Sequence, residues 1–179
     1  DFDKACVRHP EHPNLFLLSA PVVLSEDPYD LYGFIRRLAE EKRPEFDFVF
    51  IDCPSGSGDY LEVLVHRGVD VLVVVTPEPA AMRDAERTAA IAAGQGGTTR
   101  LIINRVRKTL VNRGVLPDMD DTIDACEVRL IGLVPEDIRL YVSGAEGKLL
   151  CDLRRTAART AIENTAKRIA GKSVPLAKF

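Results

Sequence analysis

Short apolar segments alternate with helical segments along most of the chain, and each apolar segment ends in turn-forming residues. A strand that is apolar at every position usually has both faces covered, as in a parallel sheet flanked by helices. The pattern predicts the strands Leu15–Leu18, Phe48–Ile51, Val71–Val75, Leu101–Ile103 and Leu130–Val134. We therefore expect an α/β fold with a mostly parallel sheet and helices on both faces.

The segments between these strands carry apolar residues at helical spacing, with residues that start or stop helices at their ends. Asp27 suits an N-cap, Pro28 suits the first helical position, and Pro44 ends that helix. A basic segment, Arg105–Leu116, is predicted to be a loop. Further helices are predicted at Tyr60–Arg67, Pro79–Gly94, Asp118–Cys126, Leu140–Leu150 and Asp152–Ala170.

Composition sets the size and general class of the chain. Its 179 residues suit one domain, and with 46% apolar residues it can bury a real core. The formal net charge of −3 argues against a broad basic surface for nucleic acid. The apolar stretches fall short of the ~18–20 residues that a membrane span requires. We therefore expect a single domain over residues 1–179 that binds no nucleic acid.

The four cysteines show no CxxC spacing, so they indicate free thiols rather than a zinc ribbon or a redox motif. Cys6, His9 and His12 lie three residues apart, a spacing that is found among metal ligands. Pro10 and Pro13 interrupt this segment, however, and no fourth ligand is evident in the sequence. A plain loop is therefore the favoured interpretation.

The second predicted strand is followed by DCPSG, which begins at Asp52. An Asp at the end of an apolar strand is the arrangement of a Walker B element, in which the carboxylate accepts from a magnesium-bound water. Gly56 and Gly58 would then leave the loop free to move. The same Asp could equally cap the next helix, so both interpretations remain open from this segment alone.

Polar residues also follow the next three predicted strands, whose carboxyl ends should meet at one edge of the sheet. For Glu78, after the third strand, capping of the next helix is the simplest role. After the fourth strand, Asn104 suits the edge of an adenine and Arg105 can stack on a base, but an ordinary loop explains them as well. Pro135–Asp137 follows the fifth strand, where a carboxylate is usually a helix cap.

Taken together and in order, these segments resemble the MinD branch of the MinD/ParA ATPases, which have a deviant Walker A loop. The resemblance rests on the blocks FDFVFIDCPSG, DVLVVVTPEPAAMRDAER, LIINRVR and RLIGLVPEDIRLYVSGAEGKLL. It runs from about Phe2 to Ala170, and the joint pattern D-x-P-x-G, V-V-V-T-P-E, N-R and V-P-E-D is specific. The resemblance implies a P-loop NTPase-like fold, hydrolysis of ATP, and ATP and Mg²⁺ as cofactors.

The resemblance also implies a role for each matching residue. Asp52 would be the Walker B aspartate that organises Mg²⁺ through water, and Ser55 and Gly56 would belong to switch II. The nucleotide-binding residues would be Asn104, Arg105, Pro135, Glu136 and Asp137. The dimer and partner face would comprise Glu78, Arg83, Asp84 and Glu86.

Members of this family are nucleotide-dependent switches that position the bacterial division site. The resemblance implies a homodimer when ATP is bound, and MinC- and MinE-like proteins as partners. It also implies attachment to the membrane surface through a C-terminal helix. We therefore expect a cytoplasmic protein that associates peripherally with the inner face of the cell membrane.

Two parts of the family pattern are not found in this sequence. The family's Gly-rich loop with two lysines is missing, and the Gly-rich run Gly94–Thr99 follows a helix and precedes a strand, the reverse of a P-loop. We read that run as a helix stop and turn. Ser173–Phe179 is too short for the amphipathic membrane helix. We expect a fragment that lacks the Walker A strand, loop and helix and is inactive alone.

Two further interpretations stay open. The chain could serve as a non-catalytic scaffold that offers only a dimerisation and partner surface. It could also belong to a relative that places flagella or partitions plasmids. The close match of the TPEPAAMRDAER and VPEDIRLYVSGAEG blocks favours the division branch.

Overall fold

The computed structural model describes residues 2–19, 28–56, 58–115, 123 and 128–176. The chain divides into two compact units, Asp1–Ile51 and Asp52–Phe179, and each is described by itself. The predicted N-cap Asp27 lies outside the described residues, as does most of the predicted helix Asp118–Cys126. That residues 1–179 form a single domain stays a prediction.

The first unit contains a small antiparallel sheet and a helix. Helix α1, Phe2–Ala5, leads into strand β1, Cys6–Arg8, which pairs with strand β2, Phe16–Leu18. Helix α2, Pro28–Lys42, continues into a 3₁₀ turn at Arg43–Glu45. The predicted first strand and the helix after it are thus confirmed, although β2 lies in this hairpin and not in the parallel sheet.

The segment between β1 and β2 is a turn organised by a histidine ring. Nδ1 of His9 accepts hydrogen bonds from the backbone N–H groups of Glu11 and His12, both at 3.2 Å. The backbone N–H of His9 in turn donates to the carbonyl of Leu15 at 2.9 Å. The predicted loop is therefore confirmed from His9 to His12, whereas Cys6–Arg8 forms strand β1.

The prediction of a strand at Phe48–Ile51 is wrong. These residues have no strand pairing and are exposed, with Phe50 at 68%. The rings of Phe48 and Phe50 stack on each other at 6.1 Å. An apolar run becomes a strand only where a neighbouring strand pairs with it, and no strand of the described residues pairs with Phe48–Ile51.

The second unit is built on a three-stranded parallel sheet in the order β3-β4-β5. The strands are β3, Asp70–Val75, β4, Thr98–Val106, and β5, Arg129–Pro135. Strand β4 is therefore central, and its Leu101 and Ile103 are completely buried. The three predicted strands in this part of the chain are confirmed, and each is longer than the apolar run that predicted it.

Helices cover both faces of this sheet, as predicted. Helix α4, Pro79–Gly94, follows β3, and helix α7, Ala157–Ile169, packs against β5. Side chains alternate between the two faces of a strand, so neighbouring positions of β4 enter different cores. The core under α4 contains Val73, Val75, Ala85, Ala89, Leu101, Ile103, Val106 and Leu133. The core under α7 contains Val134, Ala158 and Ala161, with Ile102, Leu140 and Ile162 packed against it.

Short helices connect these elements. They are α3, Tyr60–Leu64, α5, Lys108–Val111, and α6, Ile138–Ala145, with a 3₁₀ turn at Leu150–Asp152. The loop predicted at Arg105–Leu116 is wrong in its first half, because β4 continues to Val106 and α5 follows. The predicted turn at Gly94–Thr99 is confirmed, since α4 ends there and β4 begins at Thr98. Among the described residues, no helix has the length and hydrophobicity needed to cross a bilayer.

Candidate functional site

The carboxyl end of β4 contains a β-bulge. Ile103 pairs with Leu133 and Val106 pairs with Pro135, so three steps along β4 match two steps along β5. The extra residue is accommodated at Asn104 and Arg105. Bulges bend a strand locally and redirect side chains, and they are common beside functional sites.

Arg105 has an unusual backbone conformation within this bulge. Its φ angle is +56°, and among the described residues it is the only non-glycine residue with a positive φ. The side-chain oxygen of Asn104 accepts from the backbone N–H of Arg105 at 2.9 Å, which supports the turn. A non-glycine residue in this region costs about 1–3 kcal/mol, and such strain is found most often at ligand sites.

Glu136 joins the end of β5 to the end of β4. Its backbone N–H donates to the carbonyl of Val106 at 3.1 Å. Its carboxylate accepts from both Nε and Nη2 of Arg107, the latter at 2.8 Å, and from Nη2 of Arg105 at 3.4 Å. The predicted nucleotide-binding residues of β4 and β5 are therefore brought together at one edge of the sheet.

The ionisation of Glu136 follows from these contacts. The hydrogen bond from Arg107 lowers the pKa of Glu136 below its ordinary value, and the same bond raises the pKa of Arg107. Glu136 is therefore a carboxylate at neutral pH. The pair is exposed to water, so it orients these side chains more than it stabilises the fold.

Asp137 is engaged by the helix that it begins. Its Oδ1 accepts from the backbone N–H of Arg139 at 3.0 Å and from Nε of the same residue at 2.9 Å. Its Oδ2 accepts from Nη2 of Arg139 at 3.0 Å. These bonds lower the pKa of Asp137 from 3.8 to about 2. The helix-cap role that the sequence suggested for this carboxylate is thus present at α6.

A cleft of about 120 Å³ opens at this edge of the sheet, lined by Glu78, Arg105, Arg107, Leu110 and Glu136. Glu78 is the N-cap residue of α4, but its side chain makes no capping hydrogen bond. Glu78 therefore lies at the helix N-terminus, as predicted, but its side chain adds no hydrogen bond there. The cleft offers two guanidinium planes, two carboxylates and one apolar side chain, a combination suited to a flat polar ring.

The loop that begins at Asp52 is held by a tyrosine. The hydroxyl of Tyr60 donates to the carbonyl of Pro54 at 2.8 Å and also contacts that of Gly56. A Cβ at Gly58 would lie 2.8 Å from the Tyr60 ring, so Gly58 allows this close packing. The Tyr60 hydroxyl therefore restrains this loop, which the sequence predicted to be free to move.

Asp52, Ser55 and Gly56 are exposed, and they do not line the cleft. Asp52 does not follow a strand, so the buried support expected of a Walker B element is not seen at this residue. Although Cys53 is exposed, neighbouring atoms partly desolvate its thiol, and together with the Asp52 carboxylate this raises the pKa of the thiol. The thiol is therefore protonated and a poor nucleophile at neutral pH.

Helix α4 presents a charged face to solvent. Arg83, Asp84 and Glu86 are exposed, whereas Ala85 and Ala89 on the other side are buried in the core. All four residues of the predicted dimer and partner face are therefore accessible, since Glu78 is exposed as well. Glu78 belongs to the cleft as well as to the start of this helix.

Sequence reasoning missed the partners of the predicted residues. Arg107 appeared only as part of a basic segment, because nothing in the sequence pairs it with Glu136, 29 positions away. Tyr60 appeared only as a helix residue. Arg139 was not singled out, although an Asp two residues before a basic residue at a helix start is a detectable signal.

Comparison with known proteins identifies the family of this chain. No protein-family model matches the chain. The septum site-determining protein MinD of Synechocystis sp. is 31% identical over 179 residues, which are 99% of this chain and 67% of that relative. The chain belongs to the MinD family. The MinD of Bacillus subtilis is 33% identical over 144 residues, which are 79% of this chain but 54% of that protein.

Solved structures agree with membership of the MinD family. The structure of the MinC:MinD cell division protein complex of Aquifex aeolicus contains a chain that matches with a TM-score of 0.82 and 27% identity, covering 99% of this chain and 72% of that one. The MinD of Pyrococcus horikoshii, in complex with Mg-ADP, matches with a TM-score of 0.78 over 94% of this chain and 68% of that one. Its identity of 19% shows the fold alone.

Proposed function

We propose that this chain is the base-binding part of an ATP-dependent switch protein that positions the bacterial division site. The observation that supports this most is the meeting of Asn104 and Arg105 with Pro135–Asp137 at one sheet edge in a MinD-family fold. The guanidinium of Arg105 would stack on the adenine, and Asn104 would hydrogen-bond its edge. The loop at Pro135–Asp137 would close the other side of the base.

Hydrolysis of ATP is assigned to the longer protein, since this chain spans 54% to 67% of the two relatives compared above. Asp52 would hold Mg²⁺ through water, and Ser55 and Gly56 would respond to the γ-phosphate. The P. horikoshii relative binds Mg-ADP, which supports ATP and Mg²⁺ as cofactors. Phosphoryl transfer depends on positioned cations and N–H groups around the phosphates, so residues 1–179 alone would not hydrolyse ATP.

The proposed partners follow from the same family. The A. aeolicus relative is found in a complex with MinC, which supports a MinC-like partner. A homodimer with ATP bound, a MinE-like partner and peripheral attachment to the inner face of the cell membrane complete the proposal. The face for dimerisation and partners would be Glu78, Arg83, Asp84 and Glu86, all of which are exposed.

The base-binding role is tested by calorimetric titration of the full-length protein with Mg-ADP. We expect Arg105→Ala to raise the Kd about two- to fivefold, because an exposed cation–π contact contributes about 0.5–1 kcal/mol. The matched control is Arg100→Ala, which removes an arginine from the opposite end of the same strand, where it pairs with Asp70 at 3.5 Å. This control should bind Mg-ADP as the wild type does.

The outcomes separate the proposal from its alternative. If Arg105→Ala and Arg100→Ala bind equally well, the base does not lie at this edge. If the full-length wild type binds no nucleotide while still associating with a MinC-like partner, the protein is a non-catalytic scaffold.

A further inference from the structure

Two arginines share one carboxylate in the cleft. Arg107 binds Glu136 through two N–H groups on the same side of its guanidinium, the geometry of a strong bidentate pair. Arg105 reaches Oε1 of the same carboxylate at 3.4 Å, near the outer limit of a hydrogen bond. Glu136 therefore has a strong partner and a weak one.

The backbone brings these three residues together. Glu136 is held beside the end of β4 by its hydrogen bond to Val106, the residue between the two arginines. The bulge gives Arg105 its positive φ, whereas Arg107 has an extended backbone at the start of α5. The main chain thus places both arginines beside the Glu136 carboxylate.

We propose that Arg107 is a positioning residue that occupies Glu136 and thereby keeps the guanidinium of Arg105 available to stack on a purine base. This inference rests on the proposed function, because it concerns the base side of the same nucleotide site. Arg107 does not itself contact the nucleotide in this account. It acts through Glu136 on Arg105.

The reason is competition between Arg105 and Arg107 for the Glu136 carboxylate, while the charge of Glu78, the other carboxylate of the cleft, acts on Arg107 as well. Without Arg107, Glu136 keeps its charge and its position beside β4, and Arg105 is the next cation within reach. Arg105 then has to move less than 1 Å to replace the 3.4 Å contact by a full charge-assisted hydrogen bond. A guanidinium held by that carboxylate takes the orientation that Glu136 imposes, and it leaves the face of the base.

A purely structural role for Arg107 predicts a different order of nucleotide affinities among the variants. The side chain of Arg107 is 53% exposed, and exposed ion pairs contribute little to stability because water solvates both partners. If Arg107 only braced the 135–137 loop through Glu136, removal of either partner would loosen the loop in the same way. Removal of both partners would then be no better than removal of Arg107.

The test is a set of Mg-ADP titrations on the full-length protein carrying Arg107→Ala, Glu136→Gln, Arg105→Ala and their pairwise combinations. We expect Arg107→Ala to raise the Kd about two- to fivefold, as loss of an exposed cation–π contact does. The double variant Arg107→Ala/Glu136→Gln should bind more tightly than Arg107→Ala, because an uncharged amide holds Arg105 less strongly. In the Arg105→Ala background, Arg107→Ala should have no further effect.

Arg100→Ala is the matched control, and the melting temperature of each variant checks that the fold is retained. If Arg105→Ala weakens binding but Arg107→Ala does not, this inference is overturned and the proposed function stands. The same holds if the double variant Arg107→Ala/Glu136→Gln binds as weakly as Arg107→Ala. If the wild type binds no Mg-ADP, or if Arg105→Ala has no effect, the proposed function fails and this inference fails with it.

Discussion

Arg105 sits in a left-handed backbone conformation next to a carboxylate that another arginine already holds. The sequence predicted Arg105 and Glu136 as neighbours, because parallel strands end at the same edge of a sheet. It did not predict the division of roles between Arg105 and Arg107. The different roles of the two arginines depend on a one-residue bulge in β4. A single extra residue in a strand cannot be recognised from the pattern of apolar residues.

The carboxylate of Asp137 should make stability depend on pH. Its pKa in the fold is about 2 against an ordinary 3.8, because Arg139 hydrogen-bonds to the charged form. A lowered pKa means that the stabilisation is complete above pH ~4 and is lost as the pH falls towards 2. Urea unfolding of the wild type and of Asp137→Asn between pH 6 and 2 measures this. The stability difference should shrink over that interval, and a difference that stays constant with pH would contradict the assignment.

Tyr60 should restrain the loop that begins at Asp52. We expect Tyr60→Phe to lower the free energy of unfolding by about 0.5–1.5 kcal/mol, because the carbonyls of Pro54 and Gly56 lose their donor. Hydrogen exchange at Ser55 and Gly56 should become faster in the variant. The matched control is Tyr141→Phe, since Tyr141 is 75% exposed and should tolerate the change. Equal exchange rates in wild type and Tyr60→Phe would show that the hydroxyl does not hold the loop.

Among the elements, the three strands of the parallel sheet were predicted correctly, whereas the strand predicted at Phe48–Ile51 did not form. The segments that became β3, β4 and β5 are apolar because helices cover both of their faces, so the pattern reports their true environment. Phe48–Ile51 has the same pattern without a paired neighbour among the described residues. Hydrophobicity indicates that a segment can be buried. Whether it becomes a strand also depends on a second strand, from another part of the chain, that pairs with it.

The packing of α7 on β5 should depend on a glycine. A Cβ at Gly132 would lie 2.7 Å from Oγ1 of Thr165, a buried residue whose hydroxyl donates to the carbonyl of Ala161. We expect Gly132→Ala to lower the free energy of unfolding by about 1–3 kcal/mol, the usual cost of overpacking. Thermal or urea unfolding measures this change.

Thr165→Ala should recover part of the loss caused by Gly132→Ala, because it removes the clashing side chain. Gly94→Ala is the control, since nothing lies within 4 Å of a Cβ at that position. If Gly132→Ala is as harmless as Gly94→Ala, the close contact between α7 and β5 does not limit the packing.

For the molecule as a whole, the order of the motifs was more informative than any one of them. Asp52, Asn104 and Glu136 each had a simple structural explanation, and only their succession at strand ends pointed to a nucleotide site. In the structure Arg105 and Glu136 line one cleft, whereas Asn104 and Asp52 are not among its lining residues. The position of Asp52 was harder to predict. The Walker B interpretation required a strand at Phe48–Ile51, and that strand is not present.

The central claim is that the carboxyl ends of β4 and β5 form the base side of an adenine nucleotide site. Amide chemical-shift mapping of the full-length protein with Mg-ADP tests it most directly. We predict that the largest shifts in these two strands and their loops occur at Asn104, Arg105, Glu136 and Asp137. Thr98 and Arg129, at the opposite ends of the same strands, should be unaffected. Binding of Mg-ADP without shifts at Asn104–Arg105 and Glu136–Asp137 would contradict the account.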